Sequence, residues 1–202
     1  MNFEDLLPEV LPSVNGCPSF TAADHIRRAA REFCRKTHVW QSDLAPFNTA
    51  IDTTTYALAV PAGSSVVRLF RVDIGDQYGV DLLDEASAKA QVASGSQSTF
   101  AWLSGASLRI NPAPMSVMAM QVQVSLKPSA TAEAWPDDLG ENHREALIYG
   151  SLATLFEMPK TDWSDDGKAD RNNARFNAKV NAAARNRTKG RATQGRRTTT
   201  FF

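Results

Sequence analysis

The sequence lacks the features that mark secreted and membrane proteins. It holds two cysteines, Cys17 and Cys34, which are too few for a framework of disulfides in a chain of 202 residues. No apolar run approaches the length that spans a bilayer, and no basic segment followed by an apolar stretch opens the chain. We therefore expect a protein that has no signal peptide and no membrane segment and is made in a reducing cytosol.

Motifs of common catalytic sites are also missing. There is neither a G-x-x-x-x-G-K-[ST] phosphate-binding loop nor a G-x-S-x-G nucleophile motif. Zinc could be considered for Cys17, Cys34, His25 and His38, but structural zinc sites usually bring ligands in close pairs such as C-x2-C, and this chain has none. Cys34 lies on an apolar helical stripe, where we interpret it as a small buried hydrophobe. The sequence predicts no cofactor, no metal site and no enzyme.

Two other groups of polar residues have non-catalytic interpretations. Asp162, Asp165 and Asp166 cluster where a helix is predicted to begin, and acidic residues there complement the helix dipole. No paired base or nucleophile accompanies them. His143 lies between two glutamates on a predicted helix, so we expect its side chain to be solvated or to face a partner.

The chain carries no net charge, because 22 Lys and Arg residues balance 22 Asp and Glu residues. Bulk charge therefore does not predict a nucleic-acid partner. The charges are segregated, however: residues 133–170 are rich in acids, and from Arg171 onward there is no acid. A neutral total built from two oppositely charged segments favours self-association or docking on another protein.

Three long helices are predicted. The first, residues 20–40, has Thr21 as its N-cap and an apolar stripe from which its arginines are mostly absent. The second, residues 137–157, is apolar almost all round in its later part, which is typical of a helix in the centre of a bundle. The third starts after a cap at Ser164 or Asp165 and carries a thin apolar stripe.

Between the first and second long helices the pattern changes to the two-residue period of strands. Residues 66–74 are rich in β-branched and aromatic side chains and predict a central strand. Residues 100–103 and 108–110 predict a hairpin. Residues 118–126 alternate apolar and polar side chains, which predicts a strand with one buried face.

The fold class that follows is α+β. We expect a helical bundle, made of the N-terminal helix and the two C-terminal helices, with an inserted small antiparallel β lobe and an extended C-terminal arm. Residues 1–49 would hold the N-terminal arm and first bundle helix, and residues 50–128 the β lobe. Residues 129–187 would hold the C-terminal bundle helices, and residues 188–202 a basic arm that orders only on binding.

Several short motifs share their order and spacing with a known family. They are LLPxV and GCP in the N-terminal arm, AAxEFCxxT at 29–37 followed by Trp40, TYxL at 55–58, NPAP at 111–114 and EALIYGSLATL at 145–155. Through these motifs the chain, as far as about Asp166, resembles the head-to-tail adaptor (connector) proteins of tailed phages and prophages.

The resemblance implies a structural virion protein. Such adaptors form a ring beneath the portal, extend the DNA channel and offer the attachment surface for tail, tail-terminator or nozzle proteins. A homo-oligomer that follows the portal's symmetry would be a dodecamer, through which DNA passes without sequence recognition. The protein would then lie at the head–tail interface of the virion, after a stage in the host cytoplasm during assembly.

Two sets of residues are candidates for contacts in such an assembly. The opposed charges predict contacts between subunits through Arg27, Arg28, Arg31, Asp162, Asp165 and Asp166. The C-terminal arm is the candidate for portal binding, because its arginines can pair with acids and its final aromatic residues can act as an apolar anchor. The residues of this arm are Arg187, Lys189, Arg191, Arg196, Arg197, Phe201 and Phe202.

The basic C-terminal segment has alternative interpretations. It is compatible with a nucleic-acid-binding module that contacts phosphates, and with a tail that is simply solvated. The final pair of phenylalanines favours a protein partner, because phosphate binding alone does not need them. Docking on the portal and docking on a neighbouring subunit both fit the sequence.

Overall fold

The computed structural model describes the backbone of residues 1–192 and the side chains of residues 1–187. This part of the chain contains five α-helices and eight strands, which confirms the predicted α+β class. The chain divides into two compact units. The helical unit consists of Met1–Val39 and the chain that follows from Pro128, and the β unit is Trp40–Lys127. The predicted segment limits place residues 40–49 with the bundle, whereas in the structure these residues belong to the β unit.

The N-terminal arm is a series of short helical turns. A 3-10 turn, Phe3–Leu6, leads into helix α1, Leu7–Val10, and a second 3-10 turn, Leu11–Ser13. Both α1 and the second turn have a proline in their first turn, where the missing backbone N–H would have no helical partner. Phe3 is buried, and its backbone N–H donates to the carbonyl of Glu133 at 3.0 Å. The arm is therefore part of the helical unit.

Helix α2 spans Ser19–Thr37 and differs from the prediction at both ends. Thr21 is not its N-cap, because the extended Pro18 occupies that position and makes no side-chain cap. The helix ends at Thr37 because His38 adopts the left-handed conformation, with φ 52° and ψ 36°. Trp40 consequently lies beyond the helix and belongs to the β unit.

Two longer helices complete the helical unit: α4, Asp137–Phe156, and α5, Asp166–Ala192. Neither acid at the start of α4 is its N-cap, since Pro136 holds that position. Asp165 caps α5, as predicted, by accepting from the backbone N–H of Lys168 at 2.9 Å. Helix α5 continues past residue 187, so the first residues of the predicted arm are helical instead of extended.

The three long helices contact one another. Gly150 lies in α4 where α2 and α5 approach most closely: a β-carbon there would be 2.9 Å from both Ala29 Cβ and Phe176 Cδ2. The small residue at position 150 thus permits close packing of the helices. At a separate position, His143, helix α4 departs from helical geometry, with φ −124° and ψ 16°.

The first sheet of the β unit is organised around strand β8, Ala119–Pro128. Strand β8 pairs antiparallel with β1, Gln41–Asp43, and with β2, Phe47–Asn48, and it also pairs with β4, Ser64–Ile74. The central strand of this sheet is therefore β8, whereas the sequence predicted β4 in that role. The alternation predicted for β8 is confirmed from Ala119 to Val124, where Met120, Val122 and Val124 are buried, but Ser125 on the opposite face is buried as well.

The second sheet has the order β3–β7–β6–β5. Strands β6, Phe100–Ser104, and β7, Ser107–Asn111, form the predicted hairpin, and β3, Thr55–Ala57, pairs antiparallel with β7. Strand β5, Asp81–Leu82, pairs parallel with β6. The prediction of a purely antiparallel lobe is thus wrong for this sheet. Helix α3, Glu85–Ala93, follows β5 and contacts β6.

Candidate interaction surfaces

One end of the β unit exposes apolar side chains that would normally be buried. Met115 is 91 % exposed, Tyr78 85 %, Val117 61 % and Ile51 57 %. We call these four residues the loop end, because they lie in three neighbouring loops. Among the described residues they are four of the six large hydrophobic side chains with high exposure. Clustered exposed apolar surface of this kind is typical of a site that binds another protein.

Hydrogen bonds hold two of these loops together. The backbone N–H of Thr49 donates to the carbonyl of Met118 at 2.8 Å, and the hydroxyl of Thr49 donates to the carbonyl of Ser116 at 3.1 Å. The backbone N–H of Met118 donates in turn to the Thr49 hydroxyl at 2.8 Å. The N–H of Asp52 reaches the carbonyl of Pro114 at 3.0 Å. The loop end is therefore a preformed surface.

The third loop, residues 75–79, packs against the same methionine. A β-carbon on Gly75 would lie 3.3 Å from the sulfur of Met118, and the φ of Gly75 is +57°, so glycine suits this turn on both counts. Its N–H donates to the carbonyl of Ala119 at 2.8 Å. A pocket of about 400 Å³ lies between this turn and the loop that follows strand β7, lined by Ile110, Pro112 and Met115 among others.

A basic groove lies on the helical unit. Its lining includes Lys168, Arg171 and Arg175 of α5 and Tyr149 and Phe156 of α4, and its volume is about 620 Å³. The guanidinium carbon of Arg175 is 5.5 Å from the ring centroid of Tyr149, and the ammonium of Lys168 is 5.3 Å from that of Phe156. Cation–π contacts of this kind orient the positive charges along the groove. In the sequence, the only signal of this groove is that its basic residues recur at helical spacing.

The predicted acidic residues occupy the start of α5. Asp165 also forms an ion pair with Lys168 at 3.3 Å, and the backbone N–H of Lys168 lowers the pKa of the Asp165 carboxyl. Asp162 and Asp166 are exposed. Asp165 therefore stabilises its own helix, while the other two carboxylates point to solvent.

The three predicted arginines of α2 differ in what they contact. Arg27 donates through Nε to the carbonyl of Ala132 at 2.6 Å and pairs with Asp24 at 3.2 Å, and its side chain is 23 % exposed. Arg28 pairs with Asp24 at 2.8 Å but is 65 % exposed. The Nε of Arg31 is buried and has no hydrogen-bond partner among the described residues. Of the three, Arg28 is the most accessible to another molecule.

The predicted portal-binding arm lies only partly within the described chain. The side chain of Arg187 is half-buried on α5. Lys189 and Arg191 fall in the last turns of α5, beyond the described side chains. Arg196, Arg197, Phe201 and Phe202 lie outside the described residues.

Of the residues considered as zinc ligands, Cys17, Cys34 and His25 are buried, and His38 is half-buried. Burial raises the pKa of Cys34 to about 12, and burial also raises the pKa of Cys17. Nδ1 of His25 lies 2.7 Å from the hydroxyl of Thr154. Within residues 1–187, no group of three His, Cys, Asp or Glu side chains is arranged to hold a metal ion.

His143 is half-buried. Its ring centroid lies 4.8 Å from that of Phe33, a fully buried residue of α2. Burial lowers the pKa of His143, and the nearby Asp138 partly opposes this shift. The histidine therefore packs within the helical unit at the point where α4 is kinked.

Comparison with known proteins concerns nearly the whole chain. A family model described as SU10 adaptor protein matches residues 1–200. No curated protein matches the chain. Among the described helices, none combines the length and apolar character that crossing a membrane requires.

Proposed function

Since the chain belongs to the SU10 adaptor protein family, a phage head-to-tail adaptor family, we propose that its copies form a ring beneath the portal and extend the DNA channel towards the tail. Family membership implies a structural component of the virion at the head–tail junction, in contact with portal and tail proteins, and indicates a non-enzymatic role. The observation that carries the proposal is the match over residues 1–200, which includes both units.

The ring is proposed to have twelve copies, which would match a dodecameric portal. Contacts in a ring are heterologous, because each copy presents two different surfaces to its two neighbours. DNA would pass through the channel without recognition of its sequence. Assembly would take place in the host cytoplasm, on heads that already carry the portal.

The loop end is our candidate for the surface that receives tail or nozzle proteins. It is supported by the exposure of Met115 and Tyr78 and by the hydrogen bonds that hold the loops in place. A rigid apolar surface loses little conformational freedom on binding, which favours affinity.

The C-terminal arm is our candidate for the contact with the portal. The support is its composition: it contains no acid, several arginines and two final phenylalanines. Contacts between copies would use Arg28 and the exposed Asp162 and Asp166, together with the other predicted residues of α2 and α5. Arg27 contributes less, because it already donates to Ala132 within its own chain.

Electron microscopy of the protein mixed with portal-bearing heads tests the proposal. We expect added ring-shaped density directly beneath the portal. Protein that binds elsewhere on the head, or not at all, would overturn it. A variant that lacks residues 193–202 tests the arm: it should keep the circular dichroism spectrum of the full chain and lose attachment. Normal attachment of the shortened protein would exclude residues 193–202 as the portal contact without affecting the ring.

Nucleic-acid binding through the basic C-terminal segment is the second candidate function. It is favoured by the acid-free sequence from Arg171 onward. The test is binding of the purified protein to duplex DNA at several salt concentrations. A strong fall in affinity with rising salt is expected if phosphates are bound.

A further inference from the structure

Helix α5 carries opposite charges on two sides of its buried stripe. Successive residues of an α-helix are rotated by about 100°, so Lys168, Arg171 and Arg175 share one side. Asp166 and Asp170 lie roughly 180° away on the other side by the same spacing. All five side chains are exposed. The helix therefore has a basic flank and an acidic flank.

The two flanks border different grooves. The basic flank lines the basic groove with Tyr149 and Phe156, as described above. On the opposite side, Asn173 and Phe176 of α5 line a groove of about 380 Å³ that also includes Glu157 and residues of α2. We call Glu157, Asp166 and Asp170 the acidic edge, because all three are exposed on or beside this second side.

Within the described part of one copy, Lys168 pairs with Asp165, but the other charges of the two flanks have no ion pair. Among the described residues, no carboxylate lies within ion-pair distance of Arg171 or Arg175, and the acidic edge makes no ion pair. The cations of α2 that border the second groove, Arg28 and Lys36, are already paired with acids of their own helix. Because the flanks face opposite ways, the same helix cannot bring them together.

The basic groove suits carboxylates better than nucleic acid. The rings of Tyr149 and Phe156 each have a cation over them, so neither ring face is open for the base stacking that single strands use. Three cations would also neutralise few phosphates, whereas DNA-binding proteins commonly contact six to ten, about twice or three times as many. A short acidic surface matches the groove in charge.

We propose that the basic groove of one copy binds the acidic edge of a second copy. The proposal rests on the proposed function, since it names the contact that joins neighbours in the ring. Each copy uses one flank of α5 towards each neighbour, so the contact is heterologous and repeats from copy to copy. Ion pairs of Arg171 and Arg175 with Asp170 and Glu157 would form across every contact.

Charge reversal on each flank provides the test. One variant carries R171E and R175E, and a second carries E157K and D170K. Asp166 is left unchanged in the second variant, so that the first turn of α5 keeps its acidic residue. Self-association is measured by sedimentation of the full chain without portal, and attachment is measured separately on portal-bearing heads. Each variant alone should weaken self-association by about tenfold or more, because like charges then meet at the contact. An equimolar mixture should recover most of the wild-type association, since each reversed flank then meets a complementary one.

Matched controls separate this effect from net charge and from misfolding. R68E with R109E, and D43K with D81K, make the same charge changes at exposed positions of the β unit. These variants should associate as the wild type does, and all variants should keep its circular dichroism spectrum.

Several outcomes would overturn the proposal. One is failure of the wild type to self-associate both alone and on heads. The others are charge-reversed variants that each associate as the wild type does, and an equimolar mixture of them that stays dissociated. Loss of DNA binding by R171E with R175E, with association unchanged, would assign the groove to nucleic acid. Failure of the wild type to attach to portal-bearing heads while it still self-associates would count against the proposed function alone.

Discussion

Gly150 of α4 faces the ring of Phe176 of α5 at a distance that leaves no space for a β-carbon. The added atom would lie 2.9 Å from Cδ2 of that ring and equally close to Ala29 Cβ. Since the backbone of one helix and side chains of two others meet there, the position joins all three long helices of the helical unit.

We expect Gly150→Ala to lower the free energy of unfolding by about 1–3 kcal/mol, because an overpacked core must shift. This loss should exceed the gain of up to about 1 kcal/mol that alanine brings to a helix interior. Urea unfolding measures the change. Gly167→Ala is the control, since its β-carbon would meet only Asp165 Oδ1 at 3.5 Å. Equal stability of the two variants would contradict the packing argument.

A second prediction separates the two neighbouring arginines of α2. Arg27→Ala should lower the free energy of unfolding by about 1–2 kcal/mol, because it removes a charged hydrogen bond to the carbonyl of Ala132. Arg28→Ala should change it by about 0.5 kcal/mol or less, since an exposed ion pair contributes little. Thermal and urea unfolding of both variants provide the comparison. The idea fails if Arg28→Ala proves the more damaging change.

The third prediction concerns pH. Burial holds the pKa of His143 below its ordinary value of 6.5, so the folded state favours the neutral ring. The unfolded chain binds the proton more readily. The contribution of His143 to the free energy of unfolding is therefore fully present above the unfolded pKa of about 6.5, and it is lost as the pH drops through the folded pKa. His143→Gln should flatten the dependence of unfolding free energy on pH as the pH falls below the ordinary histidine pKa of 6.5. Some dependence should persist, because burial lowers the pKa of His25 as well.

The measurement is a series of urea titrations across that pH range for wild type and variant. Carboxylates such as Asp165 do not confuse the result, because the lowered pKa of Asp165 places its titration at more acidic pH. An unchanged slope in the variant would show that His143 titrates alike in the folded and unfolded chains.

The fourth prediction concerns the loop end. A variant with M115S and V117S should keep the wild-type free energy of unfolding within about 0.5 kcal/mol, since both side chains are exposed. Heads completed with this variant should capture tails at least about tenfold less well, because exposed apolar residues at a binding site carry much of the affinity. The fraction of tailed particles in electron micrographs measures this. Phe20→Ser, at a 76 % exposed position of the helical unit, is the control.

Local sequence patterns were sufficient to predict those helices and strands whose apolar residues recur with a regular period. The alternation from Met118 to Leu126 identified strand β8. The hairpin of β6 and β7 followed in the same way. In each case the deciding information lies within a few residues of the sequence.

Other features depend on distant parts of the chain. Strands β1 and β2 are two or three residues long and exist because β8 offers them partners about eighty residues further on. The acceptor of Arg27 is a backbone carbonyl 105 residues away. The α-helical N-cap at Pro18 overrides the stronger capping preference of Thr21, because a rigid proline directly before the helix sets where it starts.

The loop end was missed for a related reason. Met115 and Val117 precede β8 and continue its apolar composition, so composition alone does not indicate that they are exposed. Only the hydrogen bonds from Thr49 show that this stretch is a loop held open to solvent. The signal that could have found it is the pair of prolines just upstream, which end the preceding strand.

The pairing of the two ends of the β unit has a consequence for how the protein folds. The N–H of Leu126 donates to the carbonyl of Trp40 at 2.8 Å, so the chain enters and leaves this unit at neighbouring points. Closing a flexible loop of this length would cost about 4 kcal/mol of entropy. Once the contiguous β unit has formed, that cost no longer opposes the meeting of α2 with α4 and α5. On a ribosome, the β unit can complete its core early, and the helical unit then waits only for its last two helices to emerge.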